Sequence, residues 1–150
     1  MLEIGQPFPE FSLADQDGRT VTKADLLGAR AVIYFYPKDD TSGCTQEACE
    51  FRDALGSFEG ARVIGVSPDG AKSHRKFADK FGLSFTLLAD TEQVLAQACG
   101  VWVEKSMYGR SYMGVERTTF LLDAEGTVTD VWRKVKPAGH AEAVRAALAG

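Results

Sequence analysis

The chain lacks the marks of several large protein classes. It has no apolar stretch approaching the roughly 18 residues of a membrane-spanning helix. Its longest apolar run, Ala29 to Tyr36, is short and is broken by Arg30. The first residues, MLEIGQPFPEF, lack the basic start and apolar segment of a secretory signal. Positive charge is nowhere concentrated: the nearest approach to a basic cluster is Arg133, Lys134 and Lys136, and the net charge is -4. That balance gives no support to a nucleic-acid partner, whose phosphates need a basic stripe. Three cysteines are too few for a disulfide scaffold, and two histidines leave little material for a metal site. These absences lead to the expectation of a cytoplasmic protein in a reducing compartment, with neither a membrane nor a nucleic acid as partner. In such a compartment a close cysteine pair is more often catalytic or metal-binding than structural.

What is present suits one folded domain over residues 1–150. Apolar residues make up 45% and charged residues 25%, enough to bury a core and too apolar for a disordered chain. Phe11 to Leu13 and Arg19 to Thr22 flank Asp15-Gln16-Asp17-Gly18, a turn signal that predicts an amino-terminal hairpin. Asp25 to Gly28 reads as a short helical turn. Ala31 to Tyr36 is a continuous apolar and aromatic run, as expected of a strand covered on both faces, and Pro37 ends it. From Thr45 to about Phe58 the apolar residues Ala48, Phe51, Leu55 and Phe58 recur at helical spacing.

Arg62 to Ser67 reads as a second buried strand. A helix carrying Phe77 and Phe81 follows, with Ser67 or Asp69 as candidate caps and Gly82 as its stop. Phe85 to Leu88 is a third strand, and Glu92 to Cys99 a further helical segment begun by Asp90 or Thr91. Val101 to Val115 reads as a strand with a long surface loop. Thr118 to Leu122 and Thr127 to Trp132 bracket Asp123-Ala124-Glu125-Gly126 as a second hairpin, and Gly139 to Gly150 is an alanine-rich helix. Strands alternating with helices predict an α/β fold with a mixed sheet between helical layers.

Cys44 stands where a buried strand and a polar loop give way to a helix. Unpaired amides and the positive end of the helix dipole gather there, and both favour thiolate over thiol. Its polar neighbours Asp39, Asp40, Thr41, Ser42 and Thr45 argue against burial in an apolar core. Cys49 lies five residues on; an ideal helix would hold the two α-carbons about 8.6 Å apart, beyond the roughly 7 Å limit for a disulfide. If the two cysteines do bond, the first turn or two must unwind. No Cys-x-x-Cys is present, and Glu50 rather than arginine occupies the sixth position after Cys44, which removes the cysteine-phosphatase arrangement. A metal-binding module using Cys44 and Cys49 is the main non-enzymatic rival to a reactive cysteine. Cys99, in the apolar segment Val94 to Cys99, is expected to pack in the core. His74 is expected on an exposed helix face and His140 at the start of the last helix, neither with a catalytic role, and Trp102, Tyr108, Tyr112 and Trp132 are expected to cover one end of the sheet.

The segment Phe35-Tyr36-Pro37-Lys38-Asp39-Asp40-Thr41-Ser42-Gly43-Cys44-Thr45 resembles the active-site loop of peroxiredoxins, with Pro37, Thr41 and Cys44 at the pattern's fixed positions. Cys49 followed by Glu50-Phe51-Arg52-Asp53 resembles the bacterioferritin comigratory protein group, the Q-type peroxiredoxins. Gly114 to Leu121 is similar to the family's late arginine strand. The resemblance implies a thioredoxin-like fold and an enzyme that reduces hydrogen peroxide and organic hydroperoxides. It implies that Cys44 is peroxidatic and Cys49 resolving, through an intramolecular disulfide recycled by thioredoxin or a similar dithiol. Thr41 and Arg117 would orient the peroxide, with Pro37, Gly43 and Glu47 shaping the pocket. It further implies a monomer that needs neither a metal nor an organic cofactor. Ser42 departs from the group's usual proline and leaves the loop less restrained.

Overall fold

Two runs of apolar sequence, around Ile33 and Ile64, can be satisfied only by strands covered on both faces, and they form the centre of the sheet. The computed structural model describes residues 1–150. Its elements are β1 (Ser12–Ala14), β2 (Thr20–Thr22), β3 (Ala31–Phe35), α1 (Ser42–Ala54), β4 (Arg62–Ser67), α2 (Ala71–Phe81) and β5 (Thr86–Ala89). They continue as α3 (Val94–Ala98), β6 (Trp102–Met107), β7 (Arg110–Val115), β8 (Thr118–Leu122), β9 (Val128–Trp132) and α4 (His140–Ala149). Seven strands form one sheet in the order β2-β1-β5-β4-β3-β8-β9. The β3–β4 and β4–β5 pairs are parallel, joined by helical crossovers, whereas β8 runs antiparallel to β3 and to β9. This is the mixed, helix-flanked sheet with an amino-terminal hairpin expected of a thioredoxin-like fold.

The two-residue period of β3 divides the core in two. Val32, Tyr34 and Tyr36 join the cluster beneath α1, α2 and α4, whereas Ala31, Ile33 and Phe35 join the cluster that contains Phe8, Leu95 and Cys99. On the first face Tyr34 stacks on Phe51 with ring centroids 4.7 Å apart. That ring demands a glycine across the pair: a Cβ at Gly65 would lie 2.9 Å from both Tyr34 and Leu87 side-chain carbons. On the second face Cys99 is fully buried, and burial pushes its thiol well above the ordinary range, the inert core role expected.

Four local details differ from expectation. Val101 to Val115 is a complete hairpin, β6 with β7, standing apart from the main sheet. Tyr108 and Gly109 both have positive φ and make its tight turn, a conformation glycine adopts freely and tyrosine only under the pull of the paired strands. Helix α1 begins at Ser42 rather than Thr45, with Thr41 at its N-cap, and it passes into a 3-10 turn at Leu55–Ser57 before Phe58. Ser67 and Asp69 bond to each other, and Gly70 caps α2 without a side-chain bond. Asp90 does act at the start of α3, accepting the Leu95 and Ala96 amides at 3.1 and 2.9 Å.

Candidate active site

Register places the site. In the β3–β8 pair Phe35 lies opposite Thr118, so the residue before Thr118 emerges beside the carboxyl end of β3. That residue is Arg117, and the chain leaving β3 carries Cys44 into the first turn of α1. Residues 73 positions apart thereby meet: Arg117 Nη2 donates to the Cys44 sulfur at 3.3 Å, and Nη1 donates to Glu47 Oε1 at 2.7 Å.

Cys44 is only 1% exposed and belongs to the apolar cluster of Tyr34 and Phe51, contrary to the expectation from its polar neighbours. The loop's polar side chains find partners away from the sulfur, Asp39 with Tyr36, Ser73 and His74 and Thr41 with the Lys38 carbonyl, while Cys44 lies in the first turn of the helix. By helix geometry the amides of Ser42, Gly43 and Cys44 have no carbonyl one turn back to bond. Those amides and the guanidinium together set positive potential at the sulfur. Glu47 is equally buried; burial pushes its carboxyl up to about 7 against the opposing charge of Arg117, and its Oε2 has no partner. Burial opposes the charge of Arg117, but Glu47 and Cys44 outweigh that and raise it above the usual arginine value.

The other residues singled out in the sequence fall around this centre. A Cβ on Gly43 would meet Arg117 Nη2 and Pro137 Cγ at 3.4 Å each, so the glycine keeps that flank of the guanidinium open. Thr41 is exposed at the N-cap and donates its hydroxyl to the Lys38 carbonyl at 2.9 Å. Pro37 is half-buried where β3 ends. Cys49 is half-buried and unbonded, in the same unbroken helix as Cys44.

Both histidines are buried, although His74 was expected on an exposed helix face. His140 abuts the site: its Nε2 lies 2.7 Å from the Thr119 hydroxyl, and burial, reinforced by Arg117, lowers it to about 4. His74 is wholly buried, with Nδ1 2.7 Å from Asp39 Oδ2 and Nε2 2.9 Å from the Leu88 carbonyl. Asp39 also accepts the Tyr36 and Ser73 hydroxyls at 2.6 and 2.7 Å. Burial works against the Asp39 charge, but the hydrogen bonds from His74 and Tyr36 hold its carboxyl below the usual value. A signal for His74 was present in the sequence, because positions 74, 77, 78 and 81 fall on one helical face. Nothing in the sequence marked Pro137. Of the four large aromatics expected over one end of the sheet, Trp132 packs against His140, whereas Tyr108 is 98% exposed at the β6–β7 turn.

Comparison with known proteins places the chain in a family. Residues 4–131 match the AhpC/TSA family. Peroxiredoxin Bcp of Bacillus subtilis (strain 168) is 50% identical over 147 residues, covering 96% of this chain and 94% of the relative. Peroxiredoxin Bcp of Xanthomonas campestris pv. campestris is 46% identical over 150 residues, covering 99% and 94%. Among solved structures, the bacterioferritin comigratory protein of Xanthomonas campestris, studied as trapped intermediate and ligand complexes of alkyl peroxide reduction, superposes with a TM-score of 0.90. It shares 45% identity over 99% of this chain and 96% of its own. A cysteine-to-serine mutant of PrxQ from Xylella fastidiosa gives a TM-score of 0.94 at 37% identity, again over 99% and 96%. The chain is thus matched along nearly its whole length, and it belongs to the AhpC/TSA family as a Q-type (bacterioferritin comigratory) peroxiredoxin, a peroxidase acting through a catalytic cysteine.

Proposed function

We propose that Cys44 is the peroxidatic cysteine and Cys49 the resolving one, in a thioredoxin-class-dependent reduction of hydrogen peroxide and organic hydroperoxides. The Cys44 thiolate attacks the terminal oxygen of ROOH; an S–O bond forms, the O–O bond breaks, and RO⁻ leaves to be protonated as ROH. Arg117, the Thr41 hydroxyl and the amides at Gly43 and Cys44 orient the peroxide and meet the charge that develops on the departing oxygen. Glu47 holds the guanidinium, while Pro37 and Gly43 shape the pocket. The Cys49 thiol then attacks the Cys44 sulfenic acid, forming the disulfide and releasing water. A dithiol protein returns both thiols by exchange and is itself oxidised to its disulfide. The enzyme works in this reading as a single-domain cytoplasmic monomer.

The observation that carries the reading is the 3.3 Å contact between Arg117 Nη2 and the Cys44 sulfur. The same contact disfavours the metal-binding alternative, since a cation at Cys44 would face a fixed guanidinium charge. Cys44 and Cys49 share a helix that runs unbroken from Ser42 to Ala54, so resolution requires the first turns of α1 to unwind. Peroxide treatment of the metal-free protein, followed by intact and peptide mass analysis, tests the scheme. The expected result is rapid oxidation at Cys44 and a Cys44–Cys49 disulfide, with Cys49→Ser accumulating overoxidised Cys44. Slow oxidation spread evenly over the three cysteines would reject it.

A further inference from the structure

We propose that α2 clamps both ends of the cysteine-bearing segment, and that His74 is a positioning residue for the peroxidase reaction. The clamp concerns the rearrangement of α1 and therefore rests on the Cys44–Cys49 reading above.

The leading end is fixed through Asp39. Its carboxylate accepts the Tyr36 hydroxyl on Oδ1, and the Ser73 hydroxyl and His74 Nδ1 on Oδ2. Its backbone amide donates to Asp69 Oδ2 at 2.8 Å, and Asp69 is held by the Ser67 hydroxyl at 2.7 Å. The Leu88 carbonyl can only accept, so His74 Nε2 carries a hydrogen and the ring is tied to β5 as well as to the loop. The 2.7 Å contact between Nδ1 and the Asp39 carboxyl is buried on both sides, away from water. Next along, Lys80 bridges Asp40 at 2.8 Å, an exposed pair that adds little. The trailing end is fixed by Arg52, whose Nη1 donates to the carbonyl of Phe81, the last residue of α2, at 2.6 Å.

Thr41, Cys44, Glu47 and Cys49 all lie between these two attachments. Inside that interval the side-chain ties run elsewhere, Glu47 to Arg117 and Glu50 to the Gly139 amide. Unwinding is therefore confined to a stretch whose ends stay on the sheet-backed α2. The leading attachment sits directly before Thr41, so it holds the loop in the form that receives peroxide. The Cys49 attack needs that form to be lost. Weakening the leading attachment should slow the first chemical step without slowing the second. Weakening the trailing one should ease the second and leave the first alone. A role in general stability would instead reduce both together.

The test is single-turnover oxidation by hydrogen peroxide with rapid alkylation and mass readout, which resolves Cys44 oxidation from disulfide formation. In His74→Asn the rate constant for Cys44 oxidation should fall about ten-fold and in Ser73→Ala about three-fold, as expected for lost hydrogen bonds to a charged group. Disulfide formation should stay level or quicken in both variants. Asp39→Asn, which can still accept from Tyr36 and donate to the ring, should keep most of the first-step rate that Asp39→Ala loses. Arg52→Gln should quicken disulfide formation alone. The proposal fails if both constants stay within about two-fold of the parent, or if they fall in parallel. Ser73→Ala decides the matter should His74→Asn not fold. Absence of a Cys44–Cys49 disulfide in the parent protein would sink the resolving role by itself, while the first-step comparison would still judge the clamp.

Discussion

Each arm of the Arg117 guanidinium holds a different partner, the Cys44 sulfur on Nη2 and the Glu47 carboxylate on Nη1. A planar fork can bridge two acceptors set side by side, and an ammonium cannot hold both in that geometry. Arg117→Lys keeps the charge but gives up one of the two bonds. Because a donor aimed at developing charge is worth about 10²–10³-fold in rate, kcat/KM for hydrogen peroxide should fall by that order in Arg117→Lys. Steady-state kinetics with a dithiol reductant reads the loss, and a fall of less than about three-fold would remove Arg117 from the chemistry. Arg117 was legible in the sequence only through resemblance, since a lone arginine beside Thr118 looks like any strand-flanking cation. Register explains why it matters: Thr118 faces Phe35, a pairing of residues 83 positions apart that no local pattern encodes.

At the scale of elements, the sequence revealed most where periodicity was strict. The apolar runs of β3 and β4 could be read directly, and the stripe from Ala48 to Phe51 gave α1 its buried face. The β6–β7 hairpin was missed because its turn is Tyr108-Gly109, and only paired strands hold a tyrosine at positive φ. The start of α1 was missed by three residues because Ser42 and Gly43 are weak helix formers held by their tertiary setting. That weakness yields a prediction. Ser42 is the first helical residue, and Thr41 before it is extended, with φ -96° and ψ 158°. Both positions suit a proline at 42, which pre-sets its own φ and keeps its predecessor extended. Ser42→Pro should raise stability by about 0.4–1 kcal/mol. It should also slow Cys44–Cys49 disulfide formation, because the unwound segment loses conformational freedom. Denaturant midpoints and single-turnover traces measure the two effects, and a faster disulfide in the proline variant would contradict the unwinding step.

For the whole molecule, the site writes two opposing terms into the pH dependence of folding. The Glu47 carboxyl rises from 4.5 to about 7 on folding, chiefly through burial. Between those values the folded state binds the proton more tightly than the unfolded state, so this term makes stability fall as pH rises. His140 drops from 6.5 to about 4, again chiefly through burial. Between those values the unfolded state takes the proton and the folded state resists it, so this term makes stability rise with pH. Each shift corresponds to about 3 kcal/mol in all, and at most about 1.4 kcal/mol per pH unit. The windows overlap from pH 4.5 to 6.5, where the two slopes largely cancel. Asp39, whose carboxyl is held low, contributes only below that range. The parent protein should therefore show a nearly flat stability profile from pH 4.5 to 6.5. Glu47→Gln removes the falling term and leaves Arg117 uncompensated, which pushes His140 lower still, so its stability should climb with pH. His140→Asn removes the rising term, so its stability should decline over the same range. Chemical denaturation at a series of pH values distinguishes these outcomes, and parallel profiles for the three proteins would show that neither group changes its proton affinity on folding.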